Sequence, residues 1–347
     1  MTEEKKALQT KRLTPAWETR LSDCVVALEW AANGELLAAA TIDGKVSIIP
    51  KKGGDVLTFS AHANGMGTLA WHLDQDLLVS AGQDGLVRAW RANGEKVWEY
   101  KAGKAWLEKL AWSSQPVKID DKEEKVLAVA NGKELLLLNA EGKLITKSEP
   151  LNTTITDLCW YPNGAMVLAA AYGGLYVFHG ASAKQLRNYE WKGAMWNCRW
   201  SPDGHWVCGG SQENAVHIWD ANSGEHLHMP GYQAKIRTLD WNHTGKWLAT
   251  GNGMDVLLWD CSGKGPNGRA PQMFGAHSQN VTEIRFRHGG DVFAAGGKDG
   301  NLMIWDANGE PEPLAAFIGT AEVGPVRWSP DDKLVAIGTA NGEVIIF

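Results

Sequence analysis

His62, Ser80 and Asp84 are a Ser/His/Asp set, the residue types of an acyl-transfer triad, in which an imidazole oriented by a carboxylate activates a hydroxyl. A second group, Cys198, His205, Cys208, His217, His226 and His228, offers metal-ligand chemistry. In the segment HLH, His226 and His228 would face one side of a strand, with His217 on the strand beside it, and three converging imidazoles can hold Zn²⁺. The alternation that places Trp219 in a packed layer places His217 there too, so the competing reading is ordinary packing. There is no nucleophile elbow, no HExxH and no phosphate-binding loop; GGSQE and GGKDG read as strand ends leading into tight turns.

The elements that would position these residues repeat. Aromatic anchors stand at Trp30, Trp71, Trp112, Trp160, Trp200, Trp241, Phe286 and Trp328, at intervals of 41, 41, 48, 40, 41, 45 and 42 residues. Each anchor has apolar residues five and two positions before it: Val25/Leu28, Met66/Leu69, Leu107/Leu110, Ile155/Leu158, Met195/Cys198, Ile236/Leu239, Val281/Ile284 and Val323/Val326. A period in the low forties with several short strands per unit is the output of a radial array of small antiparallel sheets.

Copy five shows the unit in full. MWNCRW ends at Trp200, the turn SPDG spans Ser201 to Gly204, WVCGGS runs to Ser211, and AVHIWD, ANSGE and EHLHM follow. YPNG, SPDD, DANGE and RANGE punctuate other copies. Gly and Asn tolerate positive φ and Pro pre-sets the first turn residue, so these segments reverse the chain. The strands between them are short, aliphatic or β-branched, which makes the chain all-β.

The segments VHIWD, VLLWD and LMIWD, ending at Asp220, Asp260 and Asp306, resemble the WD repeat, and over nearly its whole length the chain is similar to a WD40 β-propeller. That resemblance implies a buried polar relay from a His before the first strand, through a Ser or Thr on the second and an Asp in the next tight turn, to the Trp of the third. Copy two carries all four as His62, Ser80, Asp84 and Trp90. The types suit mutual satisfaction: an indole N–H needs an acceptor, a hydroxyl can relay, and a buried carboxylate needs a donor. The Ser/His/Asp set is thereby read as cohesion, with a serine too deep to meet a substrate. Copy seven keeps His277, Asp299 and Trp305 but has Ala295 at the hydroxyl position, so its relay is expected to be broken or bridged by water. Elsewhere Glu213, Asn341 or a shortened turn near Gly253 takes the Asp position, and Leu138 and Phe178 replace the Trp; apolar packing from a chain with 18 Trp must hold those blades.

The last copy lacks a fourth strand, and the segment Arg12 to Leu21 stands alone before copy one. Pairing the two ends would close a ring of eight four-stranded blades; seven blades, with copy one absorbed, is the alternative. The expected organisation is a flexible segment 1–11 and one propeller domain, 12–347. Two insertions stand out: SSQPVKIDDKEEK after Trp112, expected as a solvated loop between the first and second strands, and CSGKGPNGRAP at Cys261 to Pro271.

A formal net charge of −6 gives no footprint for nonspecific nucleic-acid binding. The charged start MTEEKKALQTKR has no apolar core of a secretory signal, no stretch reaches membrane-spanning length, and the five cysteines lack CxxC spacing, so the expectation is a cytoplasmic protein without disulfides or membrane association.

The resemblance implies a noncatalytic interaction scaffold with protein or peptide partners, or a subunit of a larger complex, needing no cofactor. Residues near the approach to the first strand and in the tight turn before the third should line the upper mouth: Gln83, Trp106, Glu108, Trp196, Gln212, Arg237 and Lys298. Trp106 and Trp196 lie outside the anchor pattern and are either interface aromatics or inter-blade packing. The alternatives are metal handling by the fifth repeat and a propeller enzyme without a known catalytic motif.

Overall fold

The computed structural model describes residues 10–275 and 277–347. Within them the chain forms eight radial sheets, or blades, whose first strands are Val25–Trp30, Met66–Trp71, Leu110–Trp112, Asp157–Trp160, Arg199–Trp200, Leu239–Trp241, Val281–Phe286 and Val323–Trp328. Blade 1 sets the pattern, Val25–Trp30 pairing with Leu36–Thr41, then Lys45–Pro50, then Leu57–Ser60, each antiparallel to the last. Blade 4 departs from it, because its second and third strands run together as Met166–His179 around Gly173 and Gly174.

Eight apolar clusters alternate with the eight blades, each formed by the facing surfaces of two neighbours. One of them packs Val25, Leu28 and Trp30 of blade 1 against Ala336, Val344 and Ile346 of blade 8, so the circle is complete. A blade covered on both faces needs apolar residues on both sides of its middle strands, which is why Leu78–Gly82 and Trp206–Gly210 are buried throughout.

The ends zip together as expected, and in two places. Trp17–Arg20 pairs antiparallel with Glu343–Ile346 and completes blade 8. Lys11–Arg12 does something different: it pairs in parallel with Ala315–Phe317, the outer strand of blade 7. Of the segment expected to be flexible, residues 1–9 lie outside the described residues, while Lys11 is in this added strand. The insertion after Trp112, expected as a loop, folds as a hairpin of Val117–Ile119 with Lys122–Glu124, and Asp120 takes positive φ at its turn. No helix among the described residues is long and apolar enough to cross a membrane.

Candidate functional site: the upper face and the channel

The relay of blade 2 has the connectivity of a triad and the burial of a core. His62 Nδ1 lies 2.8 Å from Asp84 and Nε2 lies 2.9 Å from Ser80 Oγ. Trp90 donates its indole N–H to the same hydroxyl at 2.9 Å. One tautomer satisfies every group: indole to Ser80, Ser80 to Nε2, and Nδ1–H to Asp84. Burial lowers the His62 pKa in spite of the Asp84 carboxylate, so the imidazole is held neutral. Ser80 has no accessible surface. The backbone closes over the ring as well, for a Cβ on Gly82 would lie 2.5 Å from His62. A substrate has no path to this hydroxyl.

Other blades answer the same demand with other residues. In blade 7, His277 meets Asp299 at 3.1 Å, but opposite Ala295 its Nε2 has no partner among the described residues, and Trp305 turns its N–H to the carbonyl of Pro311. Blade 6 substitutes a tyrosine: Trp259 donates to Tyr232 Oη at 2.9 Å, and that hydroxyl is 2.8 Å from Thr250 Oγ1. In blade 5, Trp191 stands at the His position and donates to Glu213 at 3.2 Å. The residue pattern of the relay does not single out Tyr232 or Trp191. The signal that could have found them is their place four residues before Ile236 and Met195, the offset of His62 from Met66.

The imidazoles of blade 5 stack; they do not converge. His217 lies parallel to His226 and His228, with centroids 5.2 Å and 4.9 Å away, and Trp191 covers it at 3.9 Å. His217 Nδ1 is 2.9 Å from His226 Nε2. Burial, reinforced by the two neighbouring imidazoles, pushes the His217 pKa down to about 3. Among the described residues no group of three or more His, Cys, Asp or Glu is arranged to hold a metal ion.

The first strands line a central channel, and their side chains facing it carry most of its charge. The open edges of these strands leave backbone groups to be satisfied, and side chains of the preceding blade do this. Asp157 accepts from Cys198 N, Asp240 from Phe286 N and Glu283 from Val326 N, at 3.2, 2.8 and 2.9 Å. Thr156 and Thr282 donate to the carbonyls of Met195 and Val323. Asp157 is also bound by Arg199 at 2.8 Å, and Glu283 by Arg327 at 2.8 Å and by Arg285. Burial alone would raise the Glu283 pKa, but Arg285 and Arg327 outweigh it and bring it down to about 2. Asp240 goes the other way, burial winning over the more distant Arg285. Glu29 is likewise raised by burial, although over a third of its side chain is accessible, because channel water reaches atoms enclosed on every side by the ring. These charges bind blade to blade.

The upper face is formed by the turns before the third strands and the connections into the next blade. Trp106 is 62% exposed in the connection into blade 3, beside exposed Glu108. Trp196 is half-buried, with Arg237 and Lys235 over its ring at 5.4 and 5.5 Å. Arg237 and Lys298 line one cleft between blades 6 and 7. Gln83 and Gln212 sit in the tight turns of blades 2 and 5, Gln83 half-buried and Gln212 exposed. The structure thus brings Trp196, Arg237 and Lys298 together, and leaves Gln83, Trp106 and Glu108 on another sector of the face. Ile42, Tyr172, Met254 and Ile318, all large, apolar and exposed, also lie on this face. Ile42 and Tyr172 occupy the position after the second strand that Gln83, Gln212 and Lys298 hold in their blades.

Comparison with known proteins decides the repeat type. A family model described as WD domain, G-beta repeat matches residues 183–220, 224–260 and 268–306. The chain is a WD40-repeat propeller. A family model described as Anaphase-promoting complex subunit 4 WD40 domain matches residues 1–74 of the sequence. It is 25% identical over 180 residues to meiotic fizzy-related protein 1 of Schizosaccharomyces pombe, covering 51% of this chain and 41% of that protein. It is 29% identical over 175 residues to cell division cycle 20.1, cofactor of APC complex, of Arabidopsis thaliana, covering 47% and 37%. Human serine-threonine kinase receptor-associated protein is 24% identical over 227 residues, covering 64% and 62%. The propeller therefore spans less than two thirds of the length of each of these relatives. Among solved structures it is similar to Chaetomium thermophilum Sqt1 bound to the N-terminus of the ribosomal protein L10, with a TM-score of 0.78 and 16% identity over 94% of this chain and 96% of that one.

Proposed function

We propose that this WD40-repeat propeller is a noncatalytic scaffold that holds a protein partner on its upper face. The observation carrying this reading is the set of exposed large apolar side chains that this face carries, Ile42, Trp106, Tyr172, Met254 and Ile318. Aromatic and aliphatic side chains left in water on a rigid frame are what an interface covers, and Trp and Tyr are its strongest anchors. The Sqt1 propeller, similar in fold, is seen bound to the terminus of a ribosomal protein, which supports a protein segment as occupant. Enclosure of Ser80 and the stacking of His217 on its neighbours support a role without catalysis or metal handling. Five free cysteines, three of them buried, support residence in the reducing cytoplasm.

The test is an affinity pull-down from the source cytoplasm with wild type and a Trp106→Ala/Tyr172→Ala pair, alongside thermal melting of both. Loss of a wild-type partner at unchanged melting temperature is expected. Identical partners on both proteins would move the interface off this face.

A further inference from the structure

The cleft between blades 6 and 7 has a charge opposite to that of the chain around it. Lys235, Arg237 and Lys298 line a space of about 540 Å³, with Asn280 as a further polar group and Glu322 as the lone carboxylate residue of its wall. Among the described residues none of the three cations is in an ion pair. The channel arginines behave differently: Arg199, Arg285 and Arg327 are each matched to Asp157 or Glu283. Unmatched cations that converge in a protein of net charge −6 are a local exception to its field.

The cleft also has a floor. Arg237, Thr238 and Thr282 line both it and a hollow of about 120 Å³ beneath, which reaches Trp196. The face of that indole holds Arg237 and Lys235 at 5.4 and 5.5 Å, so the cations are aimed by the ring and not consumed by a counter-charge. The Trp196 Nε1 hydrogen is enclosed and has no acceptor among the described residues. Apart from Glu322 in the wall, the groups here without a partner are cations and an indole N–H, and they call for acceptor oxygens.

We infer that the Lys235–Arg237–Lys298 cleft receives an acidic segment of the protein partner, with Asp or Glu carboxylates seated on Arg237 and the lysines. This inference rests on the upper face being the docking face and specifies what docks there. A nucleic-acid backbone fits less well, because Glu322 stands in the wall and three cations in one cleft do not make a track.

Fluorescence anisotropy of the full chain with a labelled ten-residue peptide of alternating Glu and Gly tests it, against the Gln/Gly peptide and with inorganic phosphate as competitor. The Glu peptide should bind about tenfold or more tighter than its Gln counterpart, and weaken as salt rises from about 50 to 300 mM. An Arg237→Glu/Lys298→Glu variant should lose about tenfold or more of that affinity while melting as wild type does, and Trp106→Ala should keep it. Equal binding of the two peptides, absence of binding, or wild-type affinity in the charge-reversed variant would overturn the inference. Displacement of the peptide by inorganic phosphate at lower concentration than by unlabelled Glu peptide would make this a phosphate site and overturn the carboxylate assignment. If the charge-reversed variant keeps the partner that Trp106→Ala/Tyr172→Ala loses, the upper-face reading stands and the acidic segment falls.

Discussion

Trp30 of blade 1 donates its indole N–H to the carbonyl of Arg327 in blade 8 at 3.2 Å, across 297 residues of chain. The same bond ties Trp71 to Glu29, Trp160 to Ala111 and Trp328 to Arg285, at 3.2, 2.8 and 3.0 Å. Each of these four anchors thus clasps the residue just before the anchor of the preceding blade, and the Trp30 bond applies that pattern across the closure. Trp30→Phe keeps most of the packing and removes the donor, as Phe286 does naturally in blade 7. It should cost about 1 kcal/mol in urea unfolding, with the carbonyl of Arg327 left to channel water.

Ser80→Ala removes the hydroxyl that serves both His62 and Trp90. Two enclosed polar groups lose their partner, so unfolding free energy should fall by about 1–3 kcal/mol. Ala295→Ser makes the converse change, giving His277 Nε2 the partner it lacks, and should raise stability by up to about 1 kcal/mol. A hydrolytic activity lost in Ser80→Ala at unchanged melting temperature would contradict the structural assignment.

The stacked imidazoles of blade 5 set an acid limit on stability. The folded pKa of His217 is about 3, below that of an unfolded imidazole, so the unfolded state binds the proton first as pH falls. The stabilising difference is full above about pH 6.5 and is lost progressively between there and about pH 3. His217→Phe keeps the stack and removes the titration. Its urea midpoint should fall less than that of wild type between about pH 7 and pH 5, and parallel pH profiles would disprove this role.

Asp240 is the channel carboxylate that burial raises and no close cation offsets. Its charged form costs stability above its folded pKa, and the cost disappears below the unfolded pKa, where both states are protonated. Asp240→Asn retains an acceptor for Phe286 N–H and should melt at or above wild type at neutral pH, the difference vanishing near pH 3. A lower melting temperature at pH 7 would show that Arg285 or Arg199 depends on this charge.

The ring is legible in the sequence because it is written as spacing. Eight anchors with apolar partners five and two residues earlier state the period, the inward strand and its buried face together. The blade 2 relay is legible for the same reason, since an imidazole, a hydroxyl, a carboxylate and an indole at the repeat's own offsets must meet once the strands pair. The relays of blades 5 and 6 are not, because Trp191 and Tyr232 meet the same geometric need with different chemistry. The channel charges escape a sequence reading because Asp157, Asp240 and Glu283 lie between apolar positions and look like ordinary strand polarity until neighbouring blades bring backbone N–H groups to them. The acid-seeking cleft depends on Lys235 and Arg237 from one connection and Lys298 from a turn of the next blade, a convergence that no local pattern announces.

The double seam at Lys11–Arg12 and Trp17–Arg20 imposes an order on biosynthesis. These residues are translated before the strands they join, Ala315–Phe317 and Glu343–Ile346, with the whole ring between them. The early strands must wait unmated for their late partners, and a nascent chain halted short of residue 343 has one blade without a rim and a ring without a lock.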